Sequence, residues 1–205
     1  MAFWGFETPR KLRESLSDTG KYMDDFQTVE GTDRKGRPRK MAVYTGIWYV
    51  CRDAREAGWK LTAALAAAVL LAAVYVRVLT APHQAAGQYP VMVPLLAGLF
   101  PAAYLIMGAL SLPFRGKPQR RDQYMHSFIR ASRSAAAVTA LVTTGALMSL
   151  LLRAIRGDWL FLKQDWVFLA CCLLTAGLGV AIILLLRSVG IAEKENGAYE
   201  RKPLP

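Results

Sequence analysis

The chain has 205 residues, of which 54% are hydrophobic and 20% charged, with a formal net charge of +11. Charged and apolar residues fall in separate blocks instead of alternating at the period of 2 or 3.6 that a half-buried strand or helix needs, which argues against an ordinary soluble domain. The basic excess also argues little for nucleic-acid binding, because the Lys and Arg residues flank apolar blocks and no recognition-helix or base-stacking pattern accompanies them.

The N-terminus, MAFWGFETPRKLRE, becomes charged before an apolar stretch of about 7–15 residues can form, so no cleavable signal peptide is expected. The first hydrophobic span then serves as the insertion signal. Residues 1–57 contain Phe3, Trp4, Tyr22, Phe26, Tyr44, Trp48 and Tyr49 among their charges, an aromatic content that predicts a folded cytoplasmic region. Thr8 and Pro9 have the chemistry of a helix start, predicting a short helix over 9–17 that Asp18 and Gly20 end. Two stretches rich in β-branched and aromatic residues, 26–30 and 41–50, flank the turn-prone GTDRKGRPRK and predict a β-hairpin. A two-stranded hairpin is marginal in water, so it must lean on the membrane surface, on the 113–134 loop or on a partner chain. Its tip carries Arg34, Lys35, Arg37, Arg39 and Lys40, which suit anionic lipid headgroups or a partner; the plainer alternative is a solvated tip.

Four apolar stretches follow, at about 61–80, 91–112, 135–152 and 167–186. Each is near the ~20 residues that cross ~30 Å of hydrocarbon. Arg77 is the one charge within them, a turn from the end of its span, where a long side chain snorkels to the headgroups. Trp59, Tyr75, Tyr89, Phe114 and Trp166 stand at span ends as interfacial anchors. The fold class expected is therefore an all-α, four-transmembrane-helix bundle over 58–187 with a small N-terminal cytoplasmic region made of a short helix and a β-hairpin.

Of the 26 Lys and Arg residues, 22 fall in 1–60, 113–134 and 187–205. The positive-inside rule places these segments, and with them both termini, in the cytoplasm of a cell-membrane protein. Between the second and third spans, Tyr124, Met125, Phe128 and Ile129 form an apolar stripe, with Arg120 and Arg121 off it, predicting an amphipathic segment that continues into the third span. Arg120 and Arg121 join the hairpin tip as candidate lipid or partner contacts. The tail over 188–205, ending in Pro203 and Pro205, is expected to be disordered.

Within the spans, small residues recur every four positions: Gly98 and Ala102 in the second, Ala136, Ala140 and Thr144 in the third, Cys171, Thr175 and Gly179 in the fourth. Such ridges allow close backbone approach, either to close the chain's own bundle or to receive another subunit's helix. Pro94 and Pro101 bracket Gly98 and predict a kink. The 76-residue interval between Arg77 and Arg153, each near the outer end of a span, also fits a duplicated two-helix unit.

Catalytic chemistry finds few candidates. His83 and His126 fall on opposite sides of this topology, and Cys51, Cys171 and Cys172 lack metal-ligand spacing, so no metal or cofactor is expected. The spans supply hydroxyls without a His, Asp or Glu to activate them, and no carboxylate for ion-coupled transport. Asp53, Glu56 or His126 would have to carry any lipid chemistry at the cytoplasmic face. The function expected is that of a non-enzymatic accessory or scaffold subunit of a membrane complex, embedded in the lipid bilayer and touching anionic lipids, a membrane-protein partner or a second copy. The alternative is a small oligomeric transporter, channel or export component with Pro94, Gly98 and Pro101 near its pathway.

Overall fold

The computed structural model describes residues 25–32, 38–80, 88–113, 118–156 and 162–194. The elements in chain order are β1 (Phe26–Thr32), β2 (Pro38–Tyr44), β3 (Trp48–Cys51), α1 (Ala54–Thr80), α2 (Tyr89–Ala97), α3 (Leu99–Leu110), α4 (Arg121–Tyr124), a π-helical turn (Met125–Ile129), α5 (Arg130–Arg156), α6 (Leu162–Ser188) and β4 (Ile191–Lys194). They divide into two compact units. A helical unit comprises Asp53–Gly116 and Met125–Gly190, and a strand unit comprises Met1–Arg52, Lys117–Tyr124 and Ile191–Pro205.

The helical unit follows from where the chain is apolar and where it is capped. Asp53 Oδ1 accepts hydrogen bonds from the backbone N–H groups of Arg55 (3.0 Å) and Glu56 (3.2 Å), the N-cap geometry that starts α1. Glu56 then pairs with Lys60 at 2.6 Å, one turn on. Four helices are long and apolar enough to cross a membrane: Arg55–Thr80, Tyr89–Leu110, Arg121–Arg156 and Asp165–Ser188. The third is longer than the apolar run alone suggests, because α4 and the π turn lead into α5 without a break, as the amphipathic pattern predicts.

Helix α1 packs against α6 and α3, while α5 packs against α6, α3 and α2. Leu61, Leu71, Tyr75, Leu95, Leu105, Val142, Phe168 and Ile182 fill the centre and are almost wholly inaccessible. Only 28–33% of each apolar window is buried, and large apolar side chains such as Phe100 (76% exposed), Ile155 and Leu173 face outward. Where the helices touch they come close. A Cβ at Gly179 of α6 would overlap Thr139 of α5, and one at Gly108 would stand 2.8 Å from the backbone nitrogen of Ala131. Glycine is thus what lets these backbones approach, a packing mode common where lipid replaces water as the solvent.

In the strand unit, β1 and β2 pair antiparallel from Phe26↔Tyr44 to Thr32↔Pro38. The second strand is shorter than the 41–50 stretch predicts. The backbone N–H groups of Thr45 (2.8 Å) and Gly46 (3.2 Å) both donate to the Asp25 carbonyl, turning the chain away after Tyr44. Trp48–Cys51 therefore forms a separate strand, β3, which pairs antiparallel with β4 from Trp48↔Lys194 to Cys51↔Ile191. The start of the tail is thus ordered, in contrast to the expectation of disorder over 188–205, because β3 offers Ile191–Lys194 a backbone partner. The helix predicted over 9–17 lies outside the described residues.

Candidate functional site

The strand unit is built from three segments far apart in sequence. β3 lies between β4 and Gln119, and Tyr49 and Gln119 exchange reciprocal backbone hydrogen bonds of 2.9 Å. Tyr44, buried at 3% exposure, ties the hairpin to the 118–124 segment: its hydroxyl donates to the Ile47 carbonyl (2.8 Å) and accepts from the Arg121 N–H (3.1 Å). Its ring meets Phe26 and Trp48 edge-on at 5.1 and 5.2 Å, and Tyr49 stacks on Tyr124 at 4.3 Å. Of the three supports the hairpin could use, the loop after the second apolar helix is the one it meets here.

Burial raises the Tyr44 hydroxyl above its ordinary pKa, with Asp25 and Asp122 adding to the rise against the lowering effect of the Arg121 N–H. Burial also raises Tyr49, and the neighbouring Glu193 charge adds to it. The Cys51 thiol is raised by burial alone. These groups stay protonated near neutrality, so Cys51 is a packing residue and a poor nucleophile.

The basic residues do not converge on one spot. Lys40 and Arg121 are exposed, whereas Arg120 lies over the Phe26 ring at 5.7 Å and contributes a cation–π contact to the aromatic cluster. Arg39 pairs with Gly31 through the strand register; Arg34, Lys35 and Arg37 lie outside the described residues.

The small-residue ridges divide in the same way. Gly98, Ala102, Thr175 and Gly179 face into the helical unit, and Cys171 is half-buried. Thr175 is fully buried, its hydroxyl donating to the Cys171 carbonyl at 2.8 Å. By contrast Ala136, Ala140 and Thr144 are exposed, because α5 instead turns Ala135, Val138, Val142 and Gly145 inward.

At Gly98, between α2 and α3, the backbone stays helical (φ −66°, ψ −15°), the Gly98 N–H donating to the Pro94 carbonyl (3.1 Å) and the Gly98 carbonyl accepting from the Ala102 N–H (3.0 Å), so Tyr89–Leu110 runs as one helix. Pro94 and Pro101 each lack the N–H that would continue the ladder. Tyr75 of α1 packs against this point: its hydroxyl donates to the Leu95 carbonyl, and a Cβ at Gly98 would overlap that same hydroxyl. Tyr75 is 1% exposed, so it is a core residue and not the interfacial anchor its position suggests. Trp59, Tyr89 and Trp166 are exposed as anchors should be, and Phe114 lies outside the described residues.

The α2 stretch before Gly98 borders an apolar groove of about 550 Å³. Tyr89, Pro90, Val93, Pro94 and Ala97 of α2 form one wall. Leu141, Thr144 and Met148 of α5 form the other.

The least expected feature is a buried carboxylate. Asp165 (1% exposed) forms an ion pair with Arg153 (8%), joining the end of α5 to the start of α6. Sequence reasoning missed it because both residues lie outside the apolar runs, and the helices extend beyond those runs far enough to enclose them. One turn before Arg153, the Ser149 hydroxyl is fully buried and has no hydrogen-bond partner among the described residues.

The residues considered for chemistry hold structural posts: Asp53 caps α1, Glu56 pairs with Lys60, and His126 Nδ1 lies 2.9 Å from Arg130 Nη2. No group of three or more metal-ligating side chains occurs among the described residues. No protein-family model matches the chain, and comparison with curated proteins and with solved structures gives no match.

Proposed function

We propose that this chain is a non-enzymatic, multi-pass protein of the cell membrane, with both termini cytoplasmic, that serves as an accessory or scaffold subunit of a membrane complex. The four-helix unit anchors it, and the exposed Lys40 and Arg121 of the strand unit meet a membrane-protein partner and anionic lipid, without a role for nucleic acid. One observation carries the reading. The strand unit is made of 1–52, 117–124 and 191–205, all of them within the segments that the distribution of Lys and Arg assigns to the cytoplasmic side. A topology in which these segments lay on different sides of a membrane would not let them hydrogen-bond together.

Several features support the non-enzymatic part of the proposal. The centre of the helical unit is filled by side chains, the one buried acid described there is paired, and burial alone raises the Cys51 thiol, holding back the thiolate that a nucleophile needs. Lys40 and Arg121 are the exposed charges best placed to receive a partner's acidic surface or a lipid headgroup. The test is cross-linking in native membranes, followed by purification in mild detergent and mass spectrometry. A stoichiometric partner is expected, and its recovery should fall when Lys40 and Arg121 are both replaced by Glu. A monomer with no partner would overturn the reading.

The donors missing at Pro94 and Pro101 around Gly98 favour a second reading, a small oligomeric transporter, channel or export component, since Pro- and Gly-containing helices line pathways in such proteins. A homo-oligomer without another subunit, together with flux in proteoliposomes that Gly98→Ala abolishes, would move the weight there.

A further inference from the structure

We infer that the groove between α2 and α5 binds one anionic phospholipid, its acyl chain lying along Pro94 and Thr144 and its phosphate on Arg156. This inference rests on the membrane reading above and names a ligand on the opposite end of the helical unit from its cytoplasmic end. The two ends are fixed by internal contacts: Lys60 Nζ donates to the Ser188 carbonyl at 3.0 Å, which brings the start of α1 and the end of α6 together, while Gln88 and Arg156 meet at the other end.

The groove suits an acyl chain in composition and length. Its walls are almost wholly apolar, and the Thr144 hydroxyl on its floor already donates to the Ala140 carbonyl at 2.9 Å. A hydrocarbon chain therefore leaves no wall donor unsatisfied. From Tyr89 to Ala97 the wall rises through eight residues, about 12 Å at 1.5 Å per residue. That is close to one leaflet, about half of a ~30 Å hydrocarbon core. A helix from a second copy would call for a seam running through both leaflets.

Charge supplies the other half of the match. Arg153 and Arg156 are three residues apart on α5, yet they differ in what they meet. Arg153 is neutralised by Asp165. Arg156 is exposed, and with the Gln88 amide turned to satisfy both groups it donates from Nη1 (2.6 Å) and Nη2 (2.9 Å) to the Gln88 oxygen. A neutral amide orients the guanidinium without cancelling its charge, leaving further donors in a planar fork that matches a phosphate. Gln88 directly precedes Tyr89 of the groove wall, so the guanidinium it holds stands at the outer end of the groove. Tyr89, 83% exposed at the rim, is the kind of residue found at the headgroup level.

The test uses the full chain in nanodiscs of phosphatidylcholine doped with phosphatidylglycerol, with native mass spectrometry after release into mild detergent. One phosphatidylglycerol should remain per chain. Arg156→Gln should weaken retention about tenfold, the loss of one charge-assisted contact. Thr144→Phe, which fills the groove and leaves Arg156 in place, should weaken it as well, and Arg187→Gln, an exposed cation at the far end of α6, should leave it unchanged. Equal retention of the two lipids, or undiminished phosphatidylglycerol on both groove variants, would overturn the inference. So would efficient cross-linking of Met148→Cys between two chains, which would make the occupant a second copy. Failure of the membrane reading itself would look different: the chain would not float with vesicles of either composition.

Discussion

The pair between Arg153 and Asp165 offers the sharpest test of how the helical unit is held together. Asp165→Asn keeps the size and one acceptor but removes the charge, leaving Arg153, 8% exposed, as a buried cation with no counter-charge among the described residues. Arginine does not lose its proton in a protein, so the penalty falls on stability and not on protonation. Breaking one side of a buried pair costs about 3–5 kcal/mol, out of the ~5–15 kcal/mol that a domain has in total. At ~1.4 kcal/mol per decade, the folded-to-unfolded ratio should drop by roughly two to almost four decades. The companion variant, Arg153→Leu with Asp165→Leu, should be near neutral or more stable, because the pair's mutual attraction barely offsets its desolvation. Equilibrium unfolding with sodium dodecyl sulfate in mixed micelles, followed by circular dichroism, measures all three proteins on one scale. If Asp165→Asn falls within about 0.5 kcal/mol of the parent, the pair is solvated and does not clamp α5 to α6.

Three further outcomes follow from the same packing. Gly98→Ala should destabilise by about 1–3 kcal/mol through overpacking against Tyr75, and Tyr75→Phe, which removes the overlapping hydroxyl, should recover part of that loss in a double-mutant cycle; strict additivity would mean the two residues do not touch. Ser149→Ala should raise stability by about 1 kcal/mol, because it deletes a buried hydroxyl that has no partner, and the same unfolding titration reads the sign. Cys51 should react with a maleimide more slowly than a free thiol at every pH below its raised pKa, with the rate–pH profile displaced to higher pH, since burial disfavours the thiolate. An unshifted profile would mean that β3 leaves Cys51 open to water.

How much of this was legible in the sequence depends on the range over which each signal acts. The four apolar helices were, because hydrophobic length is a local property that no tertiary contact needs to supply. The donors missing around Gly98 were legible for the same reason, since each proline removes its own, but the Tyr75 hydroxyl that meets Gly98 comes from a residue 23 positions away in another helix. Strand register was readable only in part. Met41–Val50 has continuous β propensity, and nothing in its composition says that the Asp25 carbonyl takes Thr45 and Gly46 and ends the first pairing at Tyr44. The four-residue periodicity of Ala136, Ala140 and Thr144 was visible, but its direction was not: the neighbouring stripe from Ala135 through Val138 and Val142 to Gly145, at alternating three- and four-residue steps, is also a helix face, and which of the two turns inward is decided by the partner helices.

The two arginines near the outer helix ends show why a compositional match is weak evidence for duplication. Arg77 and Arg153 occupy corresponding places in the two apolar hairpins, yet Arg77 is exposed while Arg153 is enclosed with Asp165. The helices that follow them differ as well, one carrying Pro94 and Pro101 and met at Gly98 by Tyr75, the other running without proline from Leu162 to Ser188. A duplicated unit would place equivalent residues in equivalent surroundings, unless one copy had been remodelled around its neighbour. The asymmetry instead has a physical basis in the packing. Arg153 is enclosed with an acid from the start of α6, whereas Arg77 near the end of α1 is exposed. Burial of the second arginine then makes an acid at 165 necessary, and its exposed neighbour Arg156 is left as the cation at the groove's mouth.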